Sequence, residues 1–369
     1  MLSKWFSSFS NKVENSPLQY NQICSSADVE FLTKNWQSEK KEIKPTIEER
    51  KLLVTIREET IRHNRNNITR TNAYLDFFKE HEEVHWAFLA HMVSRNGGWN
   101  MTDLKASHIS SLLSYETTAI LFRFLEKANY LIFKDAFPQL LIWKESKKRE
   151  KSLFHLLPLL KVSTFMEPVW NQFFQTSNKE LLTVALIINE QSLIEENLLR
   201  NPFYQQKVLS NFTFQLQEKL GFTLVLFPYH KGSSVFLTGL IVDQFSSLIT
   251  RIDVGKKLYC LLFKKFVKKG AIQFCDGSIH TGSRSDYYPE IFSIHKNSHK
   301  IFSPPLQIVW QDVHHPSSTP KDWFTHPDHI ISLLSLPQKA EVIEMDNVHK
   351  KNLIKLSGMT ELHGIFSTQ

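Results

Sequence analysis

The chain has 369 residues, 42% of them hydrophobic and 22% charged, which supplies a real core and excludes wholesale disorder. Phe, at 28 residues, outnumbers Gly, at 11, and this balance favours helices over many short, tightly turned strands. The net charge of +7 leans toward anionic partners, while an odd set of cysteines (Cys24, Cys260, Cys275) without short paired spacing excludes a disulfide framework and points to a reducing, cytoplasmic setting.

Residues 1–44 are polar and irregular and are expected to form a flexible N-terminal arm. The start lacks the apolar core of a signal peptide, although Leu2, Trp5, Phe6 and Phe9 would share one helical face, as a weak interfacial anchor would. A main helical domain is expected over 45–320 and a C-terminal helical extension over 321–369. Thr46 and Glu49 form a capping box that opens a helix to about His63. A second helix is expected from Thr71 to Arg95, with Tyr74, Phe77, Phe78, Phe88 and Met92 at helical spacing and Asn96-Gly97-Gly98 ending it. Asn100 or Thr102 starts a third. Ser114 starts a fourth, to about Phe133, and Pro138 marks a turn before a short helix from Gln139. Two short, bent helices fill 151–176.

Val184 to Ile188 is apolar on every side, so the helix over about 178–200 is expected to be buried and central. Helix continues from Pro202 to Leu220, residues 222–227 suit a strand or a buried connector, 233–269 read as helix and 270–320 as loops. The expected fold is all-α: a compact multi-helix bundle around the central helix, with little or no β structure. No apolar run reaches the roughly 18 residues a membrane span needs.

His81-Glu82-Glu83-Val84-His85 fits the zinc-protease pattern H-E-x-x-H, in which two imidazoles on one helical face grip Zn²⁺ and the glutamate activates water. The pattern is short and the chain has 16 His, so a chance match is the competing account. A catalytic zinc needs a third ligand. Glu190 is the candidate, about a hundred residues away, so no cofactor is expected, with zinc on His81, His85 and Glu190 as the alternative.

Three polar clusters stand out. His63 to Thr71 packs Asn67 and Arg70 between two helices, His85 to Asn100 carries His91, Arg95 and Asn96, and the loop from His280 holds Arg284 and Asp286. Each sits beside apolar helix, where polar groups cost free energy unless they find partners. Glu190 ends the apolar stretch and needs a partner; Arg70, Arg95 and Arg284 are the candidates. The expectation is one pocket built from Asn67, Arg70, His85, His91, Arg95, Asn96, Glu190, His280, Arg284 and Asp286, suited to a small anionic or hydroxylated molecule. The competing account is helix caps and structural ion pairs. A fourth feature, 256–269, reads as a basic amphipathic helix with six lysines, able to contact an acidic membrane surface or nucleic acid from the cytoplasm, or simply a core helix with a solvated face.

Asn67-Ile-Thr-Arg-Thr71, then His85-Trp86, Asn100-Met-Thr-Asp-Leu104 and His280-Thr-Gly-Ser-Arg284, resemble in order an uncharacterised family of Bacillus-type bacterial proteins, the YppC-like family. The resemblance covers most of 50–310. It implies a bacterial, cytosolic or peripheral protein and carries no established activity. It also implies no requirement for glutamate at the Glu82 position, which makes the zinc pattern accidental.

Overall fold

The computed structural model describes residues 19–37, 42–106, 109, 113–209, 224–242, 247–296, 299–316, 321–327, 330–338 and 341–354. Nine longer helices dominate these residues: α1 Ser26–Trp36, α2 Ile47–His63, α3 Asn67–Glu80, α4 His85–Asp103, α5 Tyr115–Lys148, α6 Met166–Thr176, α7 Lys179–Ile194, α8 Leu248–Leu262 and α9 Lys265–Gly277. The protein is predominantly helical, as its sequence implies. The strands are short: β1 Tyr20–Gln22, β2 Leu224–Lys231, β3 Ser234–Ile241, β4 Phe292–Ser293, β5 Ile301–Phe302 and β6 Ser335–Pro337, in three two-stranded pairs.

α7 is the centre. Asn178 caps it by accepting from Leu181 N, every residue from Leu181 to Asn189 is buried, and the helix packs against α4, α5, α6 and α8. An apolar helix of this kind is stable only when neighbours cover all its faces. A π-helical turn, Glu195–Leu199, follows it. The capping box at Thr46 and Glu49 is formed, and α2 ends at His63.

Four expectations need correction. The helix expected over Thr71 to Arg95 is two helices, α3 and α4, broken at His81 to Val84. Folding back at this turn stacks Phe78 on Phe88 at 4.8 Å and sets Tyr74 edge-on to Trp86 at 5.4 Å, contacts one straight helix could not make. Next, Asn96-Gly97-Gly98 does not end α4, which runs on to Asp103. Gly98 is there for space, since a Cβ on it would lie 2.4 Å from Asn67 Oδ1 and 2.7 Å from His280 Nε2. Pro138 lies inside α5 rather than at a turn. Proline costs one helical bond, but Phe133, Ala136, Phe137 and Leu140 are buried on either side and hold the axis. Finally, 234–241 is strand, not helix. Gly232, at φ +68°, makes the two-residue turn between β2 and β3, and the β-branched and aromatic Val235, Phe236 and Thr238 suit a ladder better than a helix.

Part of the expected arm is packed. Over 19–37, β1 pairs antiparallel with β6, Leu32 is fully buried, and Trp36 stacks on Phe165 at 5.2 Å while donating to its carbonyl. Leu2, Trp5, Phe6 and Phe9 lie outside the described residues. Most of 202–220 does too. Among the described residues no helix is long and apolar enough to cross a membrane.

Candidate functional site

α3 aims its polar residues inward because its own cap frees them. Asn66 accepts from Thr69 N and Thr69 Oγ1 accepts from Asn66 N. The cap is thus closed by Asn66 and Thr69, leaving Asn67, Arg70 and Thr71, at i, i+3 and i+4, on the buried face. Asn67 Nδ2 donates to Ser94 O at 2.8 Å, and its Oδ1 lies 2.9 Å from His280 Nε2. His280 Nδ1 in turn lies 3.5 Å from Asp286 Oδ2. Asp286 also accepts from Trp99 Nε1, Thr281 N and Thr281 Oγ1. Burial pushes His280 below its ordinary value against the pull of Asp286. Burial alone would raise Asp286, but its hydrogen bonds with His280 and Thr281 prevail and hold it low. His91 is buried, bonds Thr71 O through Nδ1 at 2.8 Å, and is driven well down by burial and by Arg95.

A second knot adjoins this one. Arg284 forks onto Asp103, with Nε at 2.7 Å and Nη2 at 2.6 Å from Oδ2, and also donates to Asn100 Oδ1 and Tyr287 OH. Tyr287 OH lies 2.9 Å from His349 Nε2. Asp103, Tyr287 and His349 were not legible as partners. Asp103 sits one turn after Asn100 and shares its face only if the helix continues past Gly98. Thus the segments around 63–71, 91–103 and 280–287 meet in one buried tract.

Not every expected member joins. Arg95 donates to Ser278 O at 3.0 Å and stacks over Phe274 at 4.8 Å. Asn96 holds β2, donating to Leu224 O and accepting from Leu226 N. His85 lies apart, 2.9 Å from Tyr259 OH and stacked on Phe263 at 4.1 Å; burial lowers it to about 4. Arg70 pairs with Glu126 at 2.5 Å and donates to Asn64.

Glu190 takes none of the three candidate arginines as an ion-pair partner. It faces a cavity of about 170 Å³ between α3, α4, α7 and α8, lined also by Arg70, Tyr74, Trp86, Leu89, Ser94 and Arg251. Gln191 Nε2 approaches it at 3.3 Å. Burial outweighs this bond and one from Trp86 and raises the carboxyl to about 7. Ser94 therefore belongs to both features: one side of α4 carries the tract, and the other walls the cavity.

The family model described as "Protein of unknown function (DUF2515)" matches residues 62–340, which include every residue of the tract except His349 and all those of the cavity. The chain belongs to this family. It is also 38% identical over 323 residues to "Uncharacterized protein YppC" of Bacillus subtilis (strain 168), covering 87% of this chain and 96% of that one. No solved structure matches.

The geometry behind the zinc pattern of this DUF2515 member is altered by the α3–α4 turn. His81 caps α3 with its ring against Phe77 at 4.8 Å, while His85 opens α4 and faces Tyr259, so the two imidazoles do not share one helix. Among the described residues no group of three His, Cys, Asp or Glu side chains could hold a metal ion. The 256–269 stretch is likewise two helices, joined at Phe263 and Lys264, and Lys256 is buried beside Asp253 at 3.9 Å rather than presented to solvent.

A buried carboxyl that the sequence did not single out lies behind Glu190. Asp135 of α5 accepts from Asn189 Nδ2 at 2.6 Å and Gln139 Nε2 at 2.7 Å, and burial raises it to about 7. A carboxyl raised in the folded state contributes stability that is complete below its unfolded value of about 3.9 and is lost as pH rises toward the folded value. Urea unfolding should therefore show stability falling between about pH 4 and pH 7. Asp135→Asn, which keeps an acceptor for both amides, should flatten that fall by about 2–4 kcal/mol. A variant with the unaltered pH profile would refute the assignment.

Proposed function

We propose that the protein binds a small neutral molecule, mainly apolar and carrying one hydroxyl, in the cavity beside Glu190. The observation that carries this is the Glu190 carboxyl set in a cavity whose lining is otherwise mainly apolar, with Tyr74, Trp86, Leu89, Val93, Ile132 and Leu258 among it; burial there raises the carboxyl to about 7. Such a carboxyl can donate to or accept from a hydroxyl near neutral pH. The size fits, since an apolar cavity of ~150 Å³ admits benzene and this one measures about 170 Å³. The cations at its wall are already engaged: Arg70 by Glu126, and Arg251 by Glu195 at 2.6 Å and Gln191 at 3.1 Å. A hydroxylated ligand therefore fits better than an anionic one, which would find little uncompensated positive charge and would oppose ionisation of Glu190. Arg70 Nε, buried without a partner, offers a further donor. The proposal requires no metal or organic cofactor.

Calorimetric titration with phenol, toluene and benzoate tests it. Phenol should bind most tightly, toluene more weakly and benzoate least. Ala90→Phe, which fills the cavity from its wall, should abolish phenol binding, while Glu190→Leu should remove the preference for phenol over toluene. Equal binding of all three, or phenol binding that survives Ala90→Phe, would defeat the proposal.

A further inference from the structure

The cavity leaves unused the lysine-rich stretch at the start of α9. This helix packs along β2, with Phe266 6.2 Å from Tyr229 and Phe274 6.3 Å from His230, ring to ring. The β2–β3 turn that follows His230 directly is exposed from Lys231 to Ser234. His230, which directly precedes this tip, backs onto Gly270 in the second turn of α9, where an added Cβ would lie 2.3 Å from its carbonyl oxygen, so the hairpin tip and the first two turns of α9 adjoin. Here Lys231, Lys265 and Lys269 are exposed, Lys264 is half-buried, and none of the four has an ion pair among the described residues. Two acids beside α9 are already used, Asp276 by Lys79 at 2.7 Å and Glu82 by Lys268 at 3.6 Å, while Glu344 and Asp346 lie on the Tyr229 side of the hairpin. Among these lysines stands Phe266, a large apolar side chain that is 55% exposed.

We infer that this surface docks on an anionic lipid bilayer, with the lysines among the headgroups and Phe266 inserted at the acyl boundary. Two observations select a bilayer over other polyanions. An aromatic ring left in water at the centre of a cationic patch gains from insertion into an interface, where apolar side chains settle about 5–10 Å deep. The charges are also all lysine: strongly hydrated point charges suited to a fluid headgroup layer, without the planar arginine fork that bases and fixed phosphates favour. The buried face of α9, made by Val267, Gly270, Ala271, Phe274 and Cys275, keeps the patch rigid against the body, so docking needs no unfolding.

Co-sedimentation of the full chain with vesicles of equimolar phosphatidylglycerol and phosphatidylcholine tests the inference. Binding should be clear at low salt, fall steeply as salt is added, and be absent on phosphatidylcholine alone. Each of Lys265→Gln and Lys269→Gln should weaken it about fivefold. Phe266→Ser should weaken it several-fold without changing the salt slope. All three sites are exposed, and circular dichroism will verify that the variants stay folded. Absent binding, or binding that survives the triple change, overturns the inference. So does equally tight binding to a short DNA duplex that Phe266→Ser leaves untouched, because the surface would then be a general polyanion site.

Discussion

Arg284→Ala should cost about 3–5 kcal/mol of stability, because removing one partner of a buried pair leaves the other charge uncompensated. Arg284 and Asp103 are 4% and 2% exposed, and the guanidinium meets both carboxylate oxygens. Asp103 raises Arg284 above its ordinary value and burial opposes it. The pair also organises its surroundings. Tyr287 donates to or accepts from His349, which belongs to a helical turn near the C-terminal end of the described chain. Losing Arg284 should therefore loosen 341–354 as well as the loop at 280–287, which hydrogen exchange will read as faster exchange in both. Asp103→Ala should cost a similar amount, and the double variant should cost clearly less than the two singles summed. Additive losses would show that the two side chains act separately.

The second large effect is expected at Gly98. Its missing Cβ is the space in which Asn67 and His280 meet. Both neighbours are buried and tied, Asn67 to Ser94 and His280 to Asp286, so neither can swing aside cheaply. Elsewhere in a helix, replacing glycine by alanine gains up to about 1 kcal/mol. Here Gly98→Ala should instead destabilise by about 1–3 kcal/mol, the usual cost of overpacking a well-filled interior. Adding Asn67→Ala should recover part of the loss despite deleting a hydrogen bond, and denaturant midpoints of the parent and the three variants in the cycle will decide. A stabilised Gly98→Ala would mean the junction yields.

The helical class, the central position of α7 and the cap at Thr46 were legible because each depends on local spacing: an all-round apolar run, or a Thr and a Glu three residues apart. The three polar clusters were legible for a related reason, since Arg, Asn and His beside apolar helix must find partners somewhere. What local spacing could not supply was the partner of each group. Sequence chemistry offers Arg70, Arg95 and Arg284 to Glu190, yet Glu126, Ser278 O and Asp103 satisfy them instead, because a buried charge pairs with whichever acceptor the packing brings near, at any sequence distance. Helix ends failed in the same way. Gly97-Gly98 has the composition of a stop, yet α4 runs through it, since at Gly98 the missing side chain serves a crossing of two other segments. His81 and His85 have the spacing of a metal grip, yet a turn parts them, and folding back at that turn buries Phe78 against Phe88 and Tyr74 against Trp86 in the core. Residue chemistry thus set which groups needed partners and which helices needed cover; tertiary packing, acting through burial and close approach, chose the partners.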